Sequence, residues 1–276
     1  MNSKFDFREK KDKLFAKLLT KYPSLFRRWV HRSKFVEFSD SPWTPFRSDI
    51  SKCRLALITT GGVHLKSQKP FDMKDPAGDP TFREISADTQ PADLTITHNY
   101  YDHSDADKDV NIVFPIERVQ ELKQSNEIGD VNYRHFSFMG HIMHHNINTL
   151  MKETAPRVAA ALKSDNVDIV VLTPAWGICN QSVGLIQRTI ETSGIATISI
   201  SLSKDISQKV LPPRAVYPGF PLGHPIAFPG QTFRQIQILR LLLKYLKKMN
   251  VPGTIADFDL TESDVHSVTC DTCALD

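Results

Sequence analysis

Val167-Asp168-Ile169-Val170-Val171-Leu172, then Thr173-Pro174-Ala175-Trp176-Gly177-Ile178, then a run from about Cys179 to Ser193 closed by Gly194, then Ile195-Ala196-Thr197-Ile198-Ser199-Ile200, is the stretch that decides the fold. The first run is rich in β-branched residues and carries one charge, the pattern of a strand buried on both faces. The run from Cys179 has helical periodicity, and Gly194 stands where a left-handed C-terminal cap belongs. The last run is a second buried strand. Strand, loop, helix and strand in that order make a βαβ unit with a right-handed crossover. The fold class read from it is α/β, a mostly parallel sheet with flanking helices (Rossmann-like).

Working outward, Leu55-Ala56-Leu57-Ile58-Thr59-Thr60 reads as another buried strand running into Gly61-Gly62. Leu94 to Thr97 is a further strand candidate, and the Pro- and Asp-rich residues 66–92 read as loop with a short helix around Phe82. Helices are expected over about 115–124, 144–163 and 231–249, with a proline-rich loop over 211–229. At the N-terminus, Phe7, Leu14, Phe15, Leu18 and Leu19 recur at helical spacing between lysines up to Pro23. Leu25, Phe26, Trp29 and Val30 continue in a second basic amphipathic helix, and aromatic residues at that spacing are packing residues. Asp40-Ser41-Pro42-Trp43-Thr44-Pro45 cannot be regular helix and marks a boundary. The chain therefore divides into a basic helical extension over 1–40, an α/β domain over 41–250 and an acidic tail over 251–276.

The 276 residues are enough for a sizeable core, and 41% hydrophobic with 24% charged residues excludes a wholly disordered chain. The net charge of +3 conceals an asymmetry. Residues 1–50 hold twelve Lys/Arg against six Asp/Glu, and residues 250–276 hold six Asp/Glu and no Lys/Arg. No nucleic-acid motif accompanies the basic end, so it reads as a solvated helical face. No apolar run reaches membrane-spanning length, and four cysteines form no disulfide framework; cytoplasm is the expected compartment.

In open α/β sheets ligands gather beyond the carboxyl ends of the strands. Three such ends carry reactive or permissive residues. At the first, Gly61 and Gly62 allow a sharp turn or a close ligand, and His64 is a candidate carboxylate binder. At the second, His98 and Asp102 are spaced as a general base and its orienting carboxylate. At the third, Cys179 opens a helix, where the dipole would stabilise a thiolate. Cys270-Asp271-Thr272-Cys273 in the tail reads as a redox dithiol or half a zinc site. His141, His144 and His145 lack accompanying carboxylates or cysteines, so no metal is assigned. Phosphate-loop, dinucleotide and serine-hydrolase motifs are all missing.

Several separated motifs resemble one family. They are Pro42-Trp43-Thr44-Pro45, Thr59 to Leu65, Gly78-Asp79 with Arg83, His98 to Asp102, Asn111 with Phe114-Pro115, Ser137-Phe138-Met139-Gly140, Cys179 to Glu191, and Pro212-Pro213-Arg214. Together they resemble the selenoprotein B family of glycine, sarcosine, betaine and D-proline reductases. The resemblance implies reductive cleavage at the α-carbon of a small amino acid or amine. A selenol or thiol would attack, and electrons would come from a dithiol or thioredoxin-like donor. A pyruvoyl group would reside only in a partner subunit, with no cofactor in this chain. The family nucleophile lies in a selenocysteine- or cysteine-x-x-cysteine pair, whose second position is Cys179 and whose first is Trp176. Tryptophan carries no nucleophile. Either a recoded codon places selenocysteine at 176, or the chain works through Cys179 and the tail thiols, or it is a non-catalytic binding or assembly subunit. A racemase reading would need a cysteine opposing Cys179, and Cys53, at the start of a strand, is poorly placed for that.

Overall fold

The structure is a computed structural model that describes residues 3–258, with side chains described from Lys10 onward. In chain order the elements are α1 (Ser3–Lys21), α2 (Pro23–Arg32), β1 (Arg54–Thr59), β2 (Val63–Leu65), β3 (Phe82–Ser86), β4 (Leu94–Ile96), α3 (Ile116–Gln124), β5 (Asp130–Val131), β6 (Arg134–Phe138) and α4 (His145–Thr149). A π-helical turn (Leu150–Thr154) then leads into α5 (Ala155–Ser164), β7 (Ile169–Thr173), α6 (Gly177–Thr192), β8 (Ala196–Ile200), α7 (Lys204–Val210), β9 (Arg214–Tyr217), α8 (Thr232–Lys248) and β10 (Thr254–Asp257).

The main sheet runs β10-β9-β8-β7-β1-β6-β3, with β5 also paired to β1. Its pairings are parallel except β3 against β6. The deciding βαβ unit is β7-α6-β8, as read from the sequence, and Gly194 takes the expected positive φ of 90°. β1 and β7 pair through Leu55 to Thr59 and are buried, which is why their sequences read as continuous apolar runs. The chain reaches β6 on one side of β1 and β7 on the other, so the strand order reverses at β1. The carboxyl ends of β1 and β7 therefore open where ligands bind in this class of sheet. The Thr60 N–H donates to the Thr173 carbonyl at 3.0 Å and closes the base of that crevice.

α6 is buried on nearly every side, so its polar side chains must find partners inside the protein. Asn180 donates to the Trp176 and Gly177 carbonyls and accepts from the Leu202 N–H, and Ser182 donates to the Gly140 carbonyl at 2.6 Å. Glu191 forms a fully buried ion pair with Arg214, whose guanidinium lies 3.6 Å from the centre of the Trp43 ring. The Thr44 N–H also donates to Glu191 at 2.6 Å. These bonds pin the boundary segment at 41–45 to α6 and β9.

Three sequence expectations are corrected, and a fourth is met in a separate sheet. Residues around Phe82 form strand β3, not a short helix, because Phe82 packs on Phe136 and Phe138 across the antiparallel pair with β6. Leu94–Ile96 is a strand, but it pairs with β2 in a separate two-stranded sheet. Residues 254–257, expected in the acidic tail, form edge strand β10 on β9. Residues 214–217, read from the sequence as part of a proline-rich loop, form strand β9, and strand β6 lay outside the sequence reading. Among the described residues no helix is long and apolar enough to cross a membrane.

Candidate functional site

Trp176 is the N-cap residue of α6, immediately beyond the carboxyl end of β7. The residue is 2% exposed. The cover comes from the N-terminal hairpin of α1 and α2. The Trp29 ring stands 5.6 Å and the Phe26 ring 6.1 Å from it, and the indole N–H donates to the Thr20 hydroxyl at 3.4 Å. A Cβ at position 177 would fall 2.6 Å from the Phe26 ring, so Gly177 is what lets α2 lie this close. The basic extension read from the sequence as a packing helix is thus docked on the position that the resemblance assigns to the nucleophile.

Cys179 lies in the first turn of α6 and is fully buried. Its Sγ donates to the Thr60 carbonyl and lies 3.6 Å from His98 Nε2. Burial pushes the thiol up to about 11, against the pull of the amides at the helix start. The expected low thiol value is therefore corrected: desolvation outweighs the dipole. The same burial drives the His98 imidazole well below its ordinary value, with His141 and His103 adding to it. Its Nδ1 accepts the Tyr100 N–H at 3.1 Å, which leaves the proton of the neutral ring on Nε2, facing the sulfur. His98 is thus a donor to Cys179 and does not take its proton. The pair is neutral, sealed by Tyr101, whose hydroxyl donates to the Gly61 carbonyl at 3.0 Å, and by Gly140. A Cβ on Gly140 would come within 2.5 Å of the Cys179 sulfur and of the Thr60 carbonyl.

Asp102 does not orient His98. It accepts the Ser104 N–H and pairs with Lys17 of α1 at 3.4 Å, tying the hairpin to this loop. The carboxylates that do meet histidines among the described residues are Asp107, on His103 at 2.7 Å, Asp105, on His224 at 3.0 Å, and Asp75, on His145 at 3.7 Å. Both ring nitrogens of His64 are occupied, by the Leu65 carbonyl and the Thr97 hydroxyl at 2.8 Å each, so it offers none to a carboxylate. The glycine pair serves close packing: Gly62 has φ of 73°, and a Cβ there would sit 2.5 Å from the Thr97 carbonyl. His141 stacks face to face on Tyr100 at 3.5 Å. Among the described residues no group of three His, Cys, Asp or Glu could hold a metal ion. Cys270 and Cys273 lie outside the described residues.

The structure thus brings Trp176, Cys179, His98 and Gly61 together at the ends of β1 and β7. Sequence reasoning missed the parts Tyr101, Thr20 and Gly140 play there. Gly140 had a signal, since it closes the Ser137–Gly140 motif. The contribution of Thr20 depends on how the hairpin folds back, which no local pattern encodes.

The family model for glycine/sarcosine/betaine reductase selenoprotein B matches residues 32–175, so the hairpin lies almost wholly outside it and the match stops one residue before Trp176. The chain is 35% identical over 222 residues to the D-proline reductase subunit gamma of Acetoanaerobium sticklandii, covering 80% of this chain and 90% of that one. It is 27% identical over 226 residues to a glycine reductase complex component B subunit gamma of Carboxydothermus hydrogenoformans, covering 77% and 49%. It is 26% identical over 226 residues to a sarcosine reductase complex component B subunit beta of Peptoclostridium acidaminophilum, again covering 77% and 49%. The chain spans about half the length of these last two relatives. No solved structure matches. With a family match over more than half of its residues and a relative matched over nine-tenths of that relative's length, the chain belongs to the glycine/sarcosine/betaine reductase selenoprotein B family.

Proposed function

We propose that the chain is a subunit of a multi-component reductase for a small amino acid or amine, such as proline, glycine, sarcosine or betaine, and that with tryptophan at 176 it serves as a substrate-binding or assembly subunit. Membership in the family supports the first half. One observation carries the second: the residue at the nucleophile position is an indole packed under the chain's own hairpin, beside a fully buried, neutral Cys179. The attacking selenol or thiol, the dithiol electron supply and any pyruvoyl group belong in this reading to partner components. Reconstitution tests it. Purified chain mixed with substrate and a dithiol should give no reduction, and addition of a nucleophile-bearing relative with its partner subunits should restore it. Turnover by the chain alone would refute the reading.

A second reading is favoured by placement. Position 176 is the N-cap of α6, so a selenol there would face the unpaired amides of the first turn, with Cys179 three residues on. Selenocysteine at 176 would make this chain the subunit that attacks the α-carbon, with a thioredoxin-like dithiol as donor. The mass of the native protein decides between the two.

A further inference from the structure

A cleft of about 580 Å³ opens between the α1–α2 hairpin and the carboxyl ends of β8 and β9. Leu19, Phe26 and Arg27 form its hairpin wall, and Leu202, Tyr217 and Phe220 its opposite wall. The volume is that of a ligand site, and the position beyond strand ends is where such sites form. Phe26 is shared with the aromatic cluster on Trp176. Arg27 makes no ion pair among the described residues, but Asp205 also lines the cleft and Lys204 is paired with Asp257, so the charge that would attract an anionic occupant lies on the hairpin wall.

The described chain ends at the rim of this cleft. β10 is parallel to β9, with Asp257 opposite Tyr217. Asp257 is paired with Lys204, a cleft residue, and the Phe258 N–H donates to the Tyr217 carbonyl at 2.9 Å. Residues 259–276 follow, with five Asp/Glu and no Lys/Arg. The hairpin from Lys10 to Arg32 carries eight Lys/Arg and one acidic residue. Its outer face also exposes Leu14, Leu18, Tyr22 and Leu25, while the acidic segment contains Leu260, Val265 and Val268. Charge, apolar surface and point of departure all match.

We infer that this cleft and the basic hairpin wall above it are a docking site for residues 259–276 of the same chain. Cys270 is twelve residues beyond Phe258, a reach of roughly 40 Å when extended, ample to cross the cleft. A tether this short gives an effective concentration on the order of millimolar, so even weak contacts hold the segment in place. The inference rests on the hairpin's position and holds whichever residue occupies 176.

Disulfide trapping on the full chain tests it. Arg27→Cys places a thiol in the cleft, and Gln124→Cys places one on exposed α3 as a control, each in a Cys273→Ser and in a Cys270→Ser background so that the tail thiols cannot pair with each other. With oxidised glutathione, the cleft thiol should join the tail at least about tenfold faster than the control, and the ratio should collapse near 0.5 M salt, where the Debye length shrinks to a few ångströms. Equal rates at the two positions, or bonds only between two chains, would overturn it; the latter would make a second copy the occupant. A second measurement needs no new cysteine. Neutralising the five carboxylates to Asn and Gln should speed tryptic cleavage at Arg27 and Arg28 several-fold at low salt, and unchanged cleavage would count against docking.

Discussion

Replacing Trp176 with alanine should release the N-terminal hairpin while leaving the sheet folded. The indole anchors the hairpin on the domain: it meets Trp29, Phe26 and Thr20, and the residue is 2% exposed. Truncating a buried tryptophan to alanine costs about 3–5 kcal/mol. Because the hairpin packs as a separate layer, that loss falls first on local undocking rather than on global unfolding. At about 1.4 kcal/mol per factor of ten, the open population should rise roughly 100-fold or more, up to the limit set by the hairpin's own docking free energy. The hairpin is dense in trypsin sites, among them Lys17, Lys21, Arg27, Arg28 and Arg32. When reclosing outpaces cleavage, proteolysis reports the open population directly. Native-state trypsin should therefore cut this region about two orders of magnitude faster in the variant, while the resistant remainder starts near residue 33 and melts within a few degrees of wild type. Unchanged cleavage, or a large drop in melting temperature with no selective loss of the hairpin, would refute the reasoning.

Three further outcomes follow. Raising pH should weaken the fold through Cys179: the thiol ionises more readily in the unfolded chain, so its contribution is intact below the ordinary value of 9.0 and is lost as pH climbs toward about 11, about 3 kcal/mol in all, readable as a falling urea midpoint that a Cys179→Ala variant does not share. Lowering pH should weaken it through His98, whose imidazole is held neutral by burial while the unfolded ring takes a proton below 6.5; a His98→Gln variant should lose part of that acid sensitivity. Glu191→Gln should cost about 3–5 kcal/mol by stranding the buried Arg214 guanidinium, with thermal melting as the readout; a loss under 1 kcal/mol would show that the pair is not holding the boundary segment.

The sheet core was legible because buried parallel strands write themselves as unbroken apolar runs. β1 and β7 do so, β8 keeps buried isoleucines at Ile198 and Ile200 between small hydroxyl residues, and α6 carries both its period and its closing glycine. β6 was hidden by His135 and Arg134, whose polarity breaks such a run; His135 is tolerated in the core because its Nδ1 accepts the Leu57 N–H at 3.1 Å. β10 was hidden by the acidic composition around it, and edge strands demand little apolar sequence. At the site, Cys179, His98, Trp176 and the glycine pair could be picked out as residues, but their relationships could not. Spacing suggested that Asp102 serves His98, whereas the carboxylate reaches across to Lys17 of a distant helix. Helix position suggested a thiolate at Cys179, whereas total burial sets the opposite sign. Both errors have one origin: the hairpin and the loop after β4 close over the strand ends, and desolvation is a property of that closure rather than of any local motif.

The central claim is that position 176 holds a packed tryptophan and that the nucleophile comes from elsewhere. The intact mass of the chain purified from its native cells, with the peptide spanning Val167 to Arg188 sequenced by fragmentation, tests this most directly. The account predicts a tryptophan residue mass at 176 and no selenium isotope pattern. A selenium pattern at that residue would contradict it and would make this chain the one that attacks the substrate.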